Sequence, residues 1–140
     1  MELRIQKIHQ DAKLPAFAHA TDAGLDLCTL EEVTIVPGER RTIRTGLALA
    51  IPEGYVGLLW DKGGISHKRG LKSFGGVIDT EYRGELFVGL ANIGTESQTF
   101  NQGDKIIQIL IQKVEHPTIV EVDSLDETVR GNGAFGSTGI

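Results

Sequence analysis

Apolar and polar residues alternate along much of the chain in short runs, and few recur at the 3.6-residue spacing of a helix. Leu3, Ile5 and Ile8 nearly alternate with polar neighbours and read as a strand. Val33-Thr34-Ile35-Val36 is a β-branched run stopped by Pro37-Gly38. Residues 41–51 alternate again through Ile43, Leu47, Leu49 and Ile51, ending at Pro52-Glu53-Gly54. Residues 55–60 form a short apolar run, and 85–91 form another, closed by Asn92-Ile93-Gly94. Residues 105–114 are the most apolar stretch, and 118–122 read as a last strand. Strands of this length, with Gly, Pro or Asn signals roughly every 8–12 residues, predict an all-β sandwich or barrel. Helix is confined to residues 65–71, one or two turns after Gly63-Gly64. Residues 106–111 also fit a helical spacing, but their isoleucines and short length favour a buried strand.

Composition narrows the function. At 140 residues the chain predicts one domain with a real core. Residues 1–128 are assigned to a β-domain and residues 129–140 to a tail too rich in small residues to order itself without a ligand or a neighbouring subunit. A single cysteine cannot make an intrachain disulfide and suits a reducing compartment. The start lacks the apolar core of a signal peptide, and no run of about 18 apolar residues exists, so a cytoplasmic protein without a membrane span is expected. Fourteen Lys and Arg against nineteen Asp and Glu give −5, which argues against a nucleic-acid polymer as partner and leaves room for a small anion at a local cationic site.

Five segments carry candidate chemistry. In Ala20-Thr21-Asp22-Ala23-Gly24-Leu25-Asp26-Leu27, a strand turns Asp26 to the face opposite Leu25 and Leu27, either as a solvated turn residue or as a carboxylate at a cation. In Trp60-Asp61-Lys62-Gly63-Gly64-Ile65-Ser66, paired glycines beside a lysine let backbone N–H groups approach an anion; a plain surface loop is the alternative. The stretch from Gly75-Gly76-Val77-Ile78-Asp79 to Tyr82-Arg83-Gly84-Glu85 reads as a β-hairpin with Asp79 near its bend. Gln108 lies inside the most apolar strand, where an amide must find partners inside the protein, on a substrate or on water. The tail from Arg130 to Phe135, Gly136, Ser137 and Thr138 combines one cation, one aromatic ring and two hydroxyls on a glycine-rich chain.

In this order and spacing, the five segments resemble the motifs of the trimeric dUTP diphosphatases, over nearly the whole chain from Ala20 to Gly139. Pro37-Gly38-Glu39-Arg40 and Thr45-Gly46-Leu47-Ala48 also resemble that family's framework. The resemblance implies a distorted jelly-roll β-domain (a β-clip), a homotrimer with shared active sites, and a flexible tail that closes over them. It implies hydrolysis of dUTP to dUMP and pyrophosphate with Mg²⁺, which limits uracil in DNA and supplies dUMP for thymidylate synthesis. The family's location would be cytoplasmic, or nuclear or viral for a eukaryotic or viral source. Asp79 matches the carboxylate that orients and deprotonates the attacking water, and Gln108 the amide that helps hold the water or the α-phosphate. Lys62, Gly63 and Gly64 match the phosphate-binding segment, and Asp26 the carboxylate that reaches the metal's water shell. Tyr82 matches the ring under the deoxyribose; backbone around Gly76, Val77, Ile78 and Phe87 would pair with the uracil edge. Arg130, Phe135, Gly136, Ser137 and Thr138 match the closing tail, with Phe135 stacked on uracil.

One motif departs from the family. The usual Pro-Arg-Ser-Gly is here Asp61-Lys62-Gly63-Gly64, so Lys62 keeps a charge without a guanidinium fork and Gly63 removes a hydroxyl donor. Losing one transition-state donor costs about 2.7–4 kcal/mol. Either a nearby donor, of which Ser66 is the candidate, or backbone N–H groups substitute for it, or the enzyme is slow. Ala134 also stands where the family usually has glycine. A dCTP deaminase or bifunctional enzyme on the same scaffold, and a non-catalytic nucleotide-binding trimer, are the competing expectations.

Overall fold

A computed structural model describes residues 1–135 and 139. It contains eleven strands and one short helix. In chain order these are β1 Arg4–Lys7, β2 Leu25–Cys28, β3 Val33–Ile35, β4 Arg40–Arg44, β5 Leu47–Ala50, β6 Tyr55–Trp60, α1 Gly63–Arg69, β7 Leu71–Phe74, β8 Val77–Ile78, β9 Phe87–Asn92, β10 Gln98–Phe100 and β11 Lys105–Lys113. All named pairings are antiparallel: β1 with β5, β10 with β3, a four-stranded sheet β2-β11-β6-β8 and a three-stranded sheet β4-β9-β7. The all-β expectation holds. No helix among the described residues is long and apolar enough to cross a membrane.

The sheets close on a core that includes Leu27, Ile35, Ile43, Leu47, Leu71, Val88, Leu90, Phe100, Ile107 and Ile109. Each fully buried large side chain contributes about 1.5–3 kcal/mol relative to exposure. Residues 105–113 are one strand, as their isoleucines predict, with a bulge against β2 between Lys105 and Ile107. The extra residue lets Ile106 and Ile107, neighbours in sequence, both be fully buried.

Four expectations need correcting. The run 41–51 is two strands in two sheets, because Gly46 turns the chain at φ +69° between β4 and β5. The stretch 75–85 is not a β-hairpin: β8 pairs with β6 while β9 pairs with β4 and β7, so the arms of the bend diverge. The helix runs over Gly63–Arg69, starting and ending two residues earlier than expected, because Gly70, at a left-handed φ of +64°, supplies the C-cap and frees Leu71 to start β7. Residues 118–122 form no strand, and Ile119, Val120 and Val122 stand exposed, since no strand edge among the described residues pairs with them.

Candidate active site

The middle of the four-stranded sheet assembles one cluster. The bulge in β11 puts Gln108 directly opposite Asp26 of β2, and on its other side Gln108 faces Trp60 of β6. Cross-strand partners share a face, so these three side chains stand in a row. Gln108 Nε2 donates to the Asp61 carbonyl at 2.8 Å. Its Oε1 packs so close over Gly24 that a Cβ there would sit 2.6 Å away, which explains the glycine.

Asp26 is only 5% exposed, which overturns the solvated-turn alternative. Its N–H is held by the Ala16 carbonyl at 2.9 Å. Its Oδ1 accepts a hydrogen bond from Lys62 Nζ. Lys105 Nζ lies 2.9 Å from Oδ2, at ion-pair distance but without the alignment of a hydrogen bond, and Oδ2 accepts none. Burial alone would push this carboxyl up; the Lys62 and Lys105 ammonium groups outweigh it and hold it below the usual carboxylate range.

Lys62 is the N-cap of α1, in extended conformation, and its carbonyl accepts the Ser66 N–H at 2.9 Å. Gly63 and Gly64 form the exposed first turn, and an added Cβ at either would meet nothing within 4 Å. Ser66 sits one turn further on, half-buried. Asp61 braces this segment from behind: its Oδ1 accepts the Ser73 N–H at 2.7 Å, and Lys72 Nζ pairs with its Oδ2.

A second cluster surrounds a cavity of about 230 Å³ lined by Val77, Ile78, Asp79, Tyr82 and Phe87. β8 is the outermost strand of its sheet, so backbone groups on its far edge have no strand partner among the described residues. Gly76, at φ +101°, presses on Leu59 and directs the chain into that edge. Tyr82 Oη donates to the Glu85 carbonyl at 2.8 Å, and its ring covers Gly84, where a Cβ would be 2.5 Å from the hydroxyl. The ring is thus fixed at the cavity wall. Asp79 is exposed at the bend, its carbonyl accepting the Tyr82 N–H at 3.2 Å.

The two clusters do not meet within one chain. Ile78 lies opposite Gly57 and Gln108 opposite Trp60, three positions further along β6. That is about 10 Å along the strand and about 10 Å across two strand spacings, and Asp79 lies one residue beyond. Among the described residues the Arg130 side chain bonds only within the tail, to the Gly133 carbonyl at 3.0 Å, and Phe135 is fully exposed. Gly136, Ser137 and Thr138 lie outside the described residues. Sequence reasoning missed Asp61 and Lys105. Lys72, the partner of Asp61, lies on β7 beyond the helix, and Asp26, the partner of Lys105, lies far away in sequence on β2, so local patterning carries no sign of either pair.

The dUTPase family profile matches residues 10–139. The chain is 42% identical over 142 residues to the deoxyuridine 5'-triphosphate nucleotidohydrolase of Thermobifida fusca, covering 99% of this chain and 79% of that protein. It is 43% identical to the enzyme of the same name from Wolinella succinogenes, covering 99% and 95%. Among solved structures it is similar to a point mutant of the Staphylococcus bacteriophage 80alpha dUTPase with dUpNHpp, at TM-score 0.93 and 29% identity, covering 99% of both chains. A mutant dUTPase from phage phi11 of S. aureus, described with a structural Mg(II) ion, superposes at TM-score 0.83 and 29% identity, covering 89% of this chain and 98% of that one.

Proposed function

The chain belongs to the dUTPase family and hydrolyses dUTP to dUMP and pyrophosphate, and from that premise we propose how its residues divide the work. Asp79 is the general base: it orients the attacking water in line with the α-phosphorus and takes its proton. Gln108 has one amide N–H committed to Asp61, which leaves the second N–H for the water or an α-phosphate oxygen. Lys62, the backbone N–H groups of Gly63 and Gly64, and the Ser66 hydroxyl take the phosphate oxygens. Arg130 adds charge as the tail closes, Phe135 stacks on the uracil, and Gly136, Ser137 and Thr138 complete the cover.

Selectivity rests on the second cluster. The free edge of β8 at Val77 and Ile78, with backbone near Gly76 and Phe87, pairs with the uracil edge. Cytosine presents the opposite donor and acceptor pattern, and leaving buried groups unpaired discriminates by about 10⁴–10⁵. The fixed Tyr82 ring leaves no space for a 2′-hydroxyl.

Mg²⁺ suits the first cluster. Asp26 Oδ2 is a buried oxygen that accepts no hydrogen bond among the described residues, and a metal-bound water is a donor of the kind it lacks. Bound Mg²⁺ neutralises charge on the phosphate oxygens, and Asp26 is the residue that would hold its water shell.

The active site is shared between copies of the chain in a homotrimer. The separation of Asp79 from Gln108 along β6 is the observation that carries this reading, because one chain alone cannot apply both to one phosphate. The exposed Ile119, Val120, Val122 and Leu125 support it, being apolar surface that an adjoining copy would cover. In this reading residues 1–128 are the β-domain and residues 129–140 the closing tail; the last strand, ending at Lys113, supports it. A reducing, cytoplasmic setting suits the single thiol of Cys28.

Pyrophosphate release with dUTP, dCTP, dTTP and UTP, with and without Mg²⁺, tests the proposal, together with the mass of the assembly in solution. Release from dUTP alone, dependent on Mg²⁺, by a three-copy particle is expected. Ammonia from dCTP, or an active monomer, would overturn it.

A further inference from the structure

Lys62 is engaged by a partner within the protein itself. Its ammonium is spent on Asp26, a carboxylate only 5% exposed, yet the same ammonium is assigned to the phosphates. Transfer to a phosphate strips a buried carboxylate of its hydrogen-bonding cation, and removing one partner of a buried pair is strongly unfavourable. Without a metal, the protein groups around Asp26 offer little other relief. Gln108 Nε2 gives one N–H to the Asp61 carbonyl, and its other N–H is the one assigned above to the water or an α-phosphate oxygen. Among the described residues the only other cation in contact with Asp26 is Lys105, 2.9 Å from Oδ2. Its side chain is half exposed, on the first residue of β11, and the bulge at Ile106 sets it beside Cys28, clear of the row formed by Asp26, Gln108 and Trp60.

We propose that Lys105 is a positioning residue for the phosphate-binding step: it remains on Asp26 as the standing counter-ion, and this lets Lys62 move from Asp26 to the triphosphate. Lys105 touches no substrate and acts through Asp26 and Lys62. The inference rests on the placement of Lys62 at the phosphates proposed above.

Calorimetric binding of dUTP carrying an imido bridge between its α- and β-phosphates, and of dUMP, tests it in EDTA with the full-length protein. The proteins are the wild type, Lys105→Met, Lys105→Arg, Lys62→Met and the double variant with methionine at both positions. Lys105→Met should bind the imido triphosphate about tenfold more weakly and dUMP within about twofold of the wild type. Lys105→Arg should restore most of the loss. In the Lys62→Met background, Lys105→Met should have no further effect. An unchanged affinity in Lys105→Met, an equal loss for both nucleotides, or a loss that persists without Lys62 would each overturn the role of Lys105. Lys62→Met alone reports on the underlying site: if it binds the imido triphosphate like the wild type, Lys62 is not at the phosphates. If it binds weakly while Lys105→Met does not, only the role of Lys105 falls.

Discussion

The Asp61 carboxylate accepts the Ser73 backbone N–H at 2.7 Å and so ties the entry of the helix, just before Lys62, to β7 beyond its far end. Burial would raise this carboxyl, but Lys72 and the Ser73 hydrogen bonds prevail and hold it below its ordinary value. A folded-state value below the unfolded value of about 3.9 means the stabilisation is complete above that pH and is lost as pH falls through the folded value. Asp61→Asn should therefore be less stable than the wild type by about 1–2 kcal/mol at pH 7. The gap should narrow in urea unfolding below about pH 4. A gap that does not change with pH would show that the carboxyl's charge is not what stabilises the segment.

Asp79 stands exposed at the bend that follows β8 and donates or accepts no side-chain hydrogen bond among the described residues, so its substitution leaves the fold intact. Asp79→Asn should lower turnover of dUTP by about 10²–10⁴ while dUTP binding stays within a few-fold. Near-normal pyrophosphate release from this variant would reject Asp79 as the base.

Tyr82 closes one wall of the 230 Å³ cavity, held there by its bond to the Glu85 carbonyl. Tyr82→Ala should reduce the preference for dUTP over UTP, measured as the ratio of kcat/KM values, by about tenfold or more. Tyr82→Phe keeps the ring and should retain most of the preference. Equal ratios in all three proteins would place 2′-hydroxyl exclusion elsewhere.

Gly63 has open space where a side chain would begin, and its φ is not positive. Gly63→Ser should fold normally and restore the hydroxyl donor that the family usually carries there, raising kcat about tenfold, somewhat short of the full worth of such a donor. A large fall in kcat would mean that the segment presents its backbone to the phosphates in a different geometry.

Among the described residues Arg130 hydrogen-bonds only to Gly133, and Phe135 is fully exposed. A protein ending at Val129 should thus keep its melting temperature and its assembly size, but lose about 10² or more in kcat/KM through the missing charge and stacking. An unaffected rate would remove the tail from the reaction.

Much of the all-β architecture was legible in the alternation of apolar residues, because a strand's two faces are set by neighbours two positions apart. Strands β1, β3, β6, β9 and β11 lie within a residue or two of where that alternation puts them, and Gly63-Gly64 announced the one helix. The residue types of the candidate site were legible too, since carboxylate, amide, lysine and paired glycines each limit the chemistry available. Pairing was not legible. The run 41–51 looks like one strand, yet Gly46 sends its halves to different sheets, and the arms around Asp79 resemble a hairpin that the sheet topology separates. Only the folded chain aligns Gln108 with Asp26, because a single bulged residue shifts the register of β11 by one, and only there does Lys105 meet a carboxylate that lies far away in sequence. Local patterning decides which segments extend and which faces are apolar. Which edge pairs with which, and which cation answers a buried charge, depends on contacts between segments far apart in the chain, and those exist only once the core has closed.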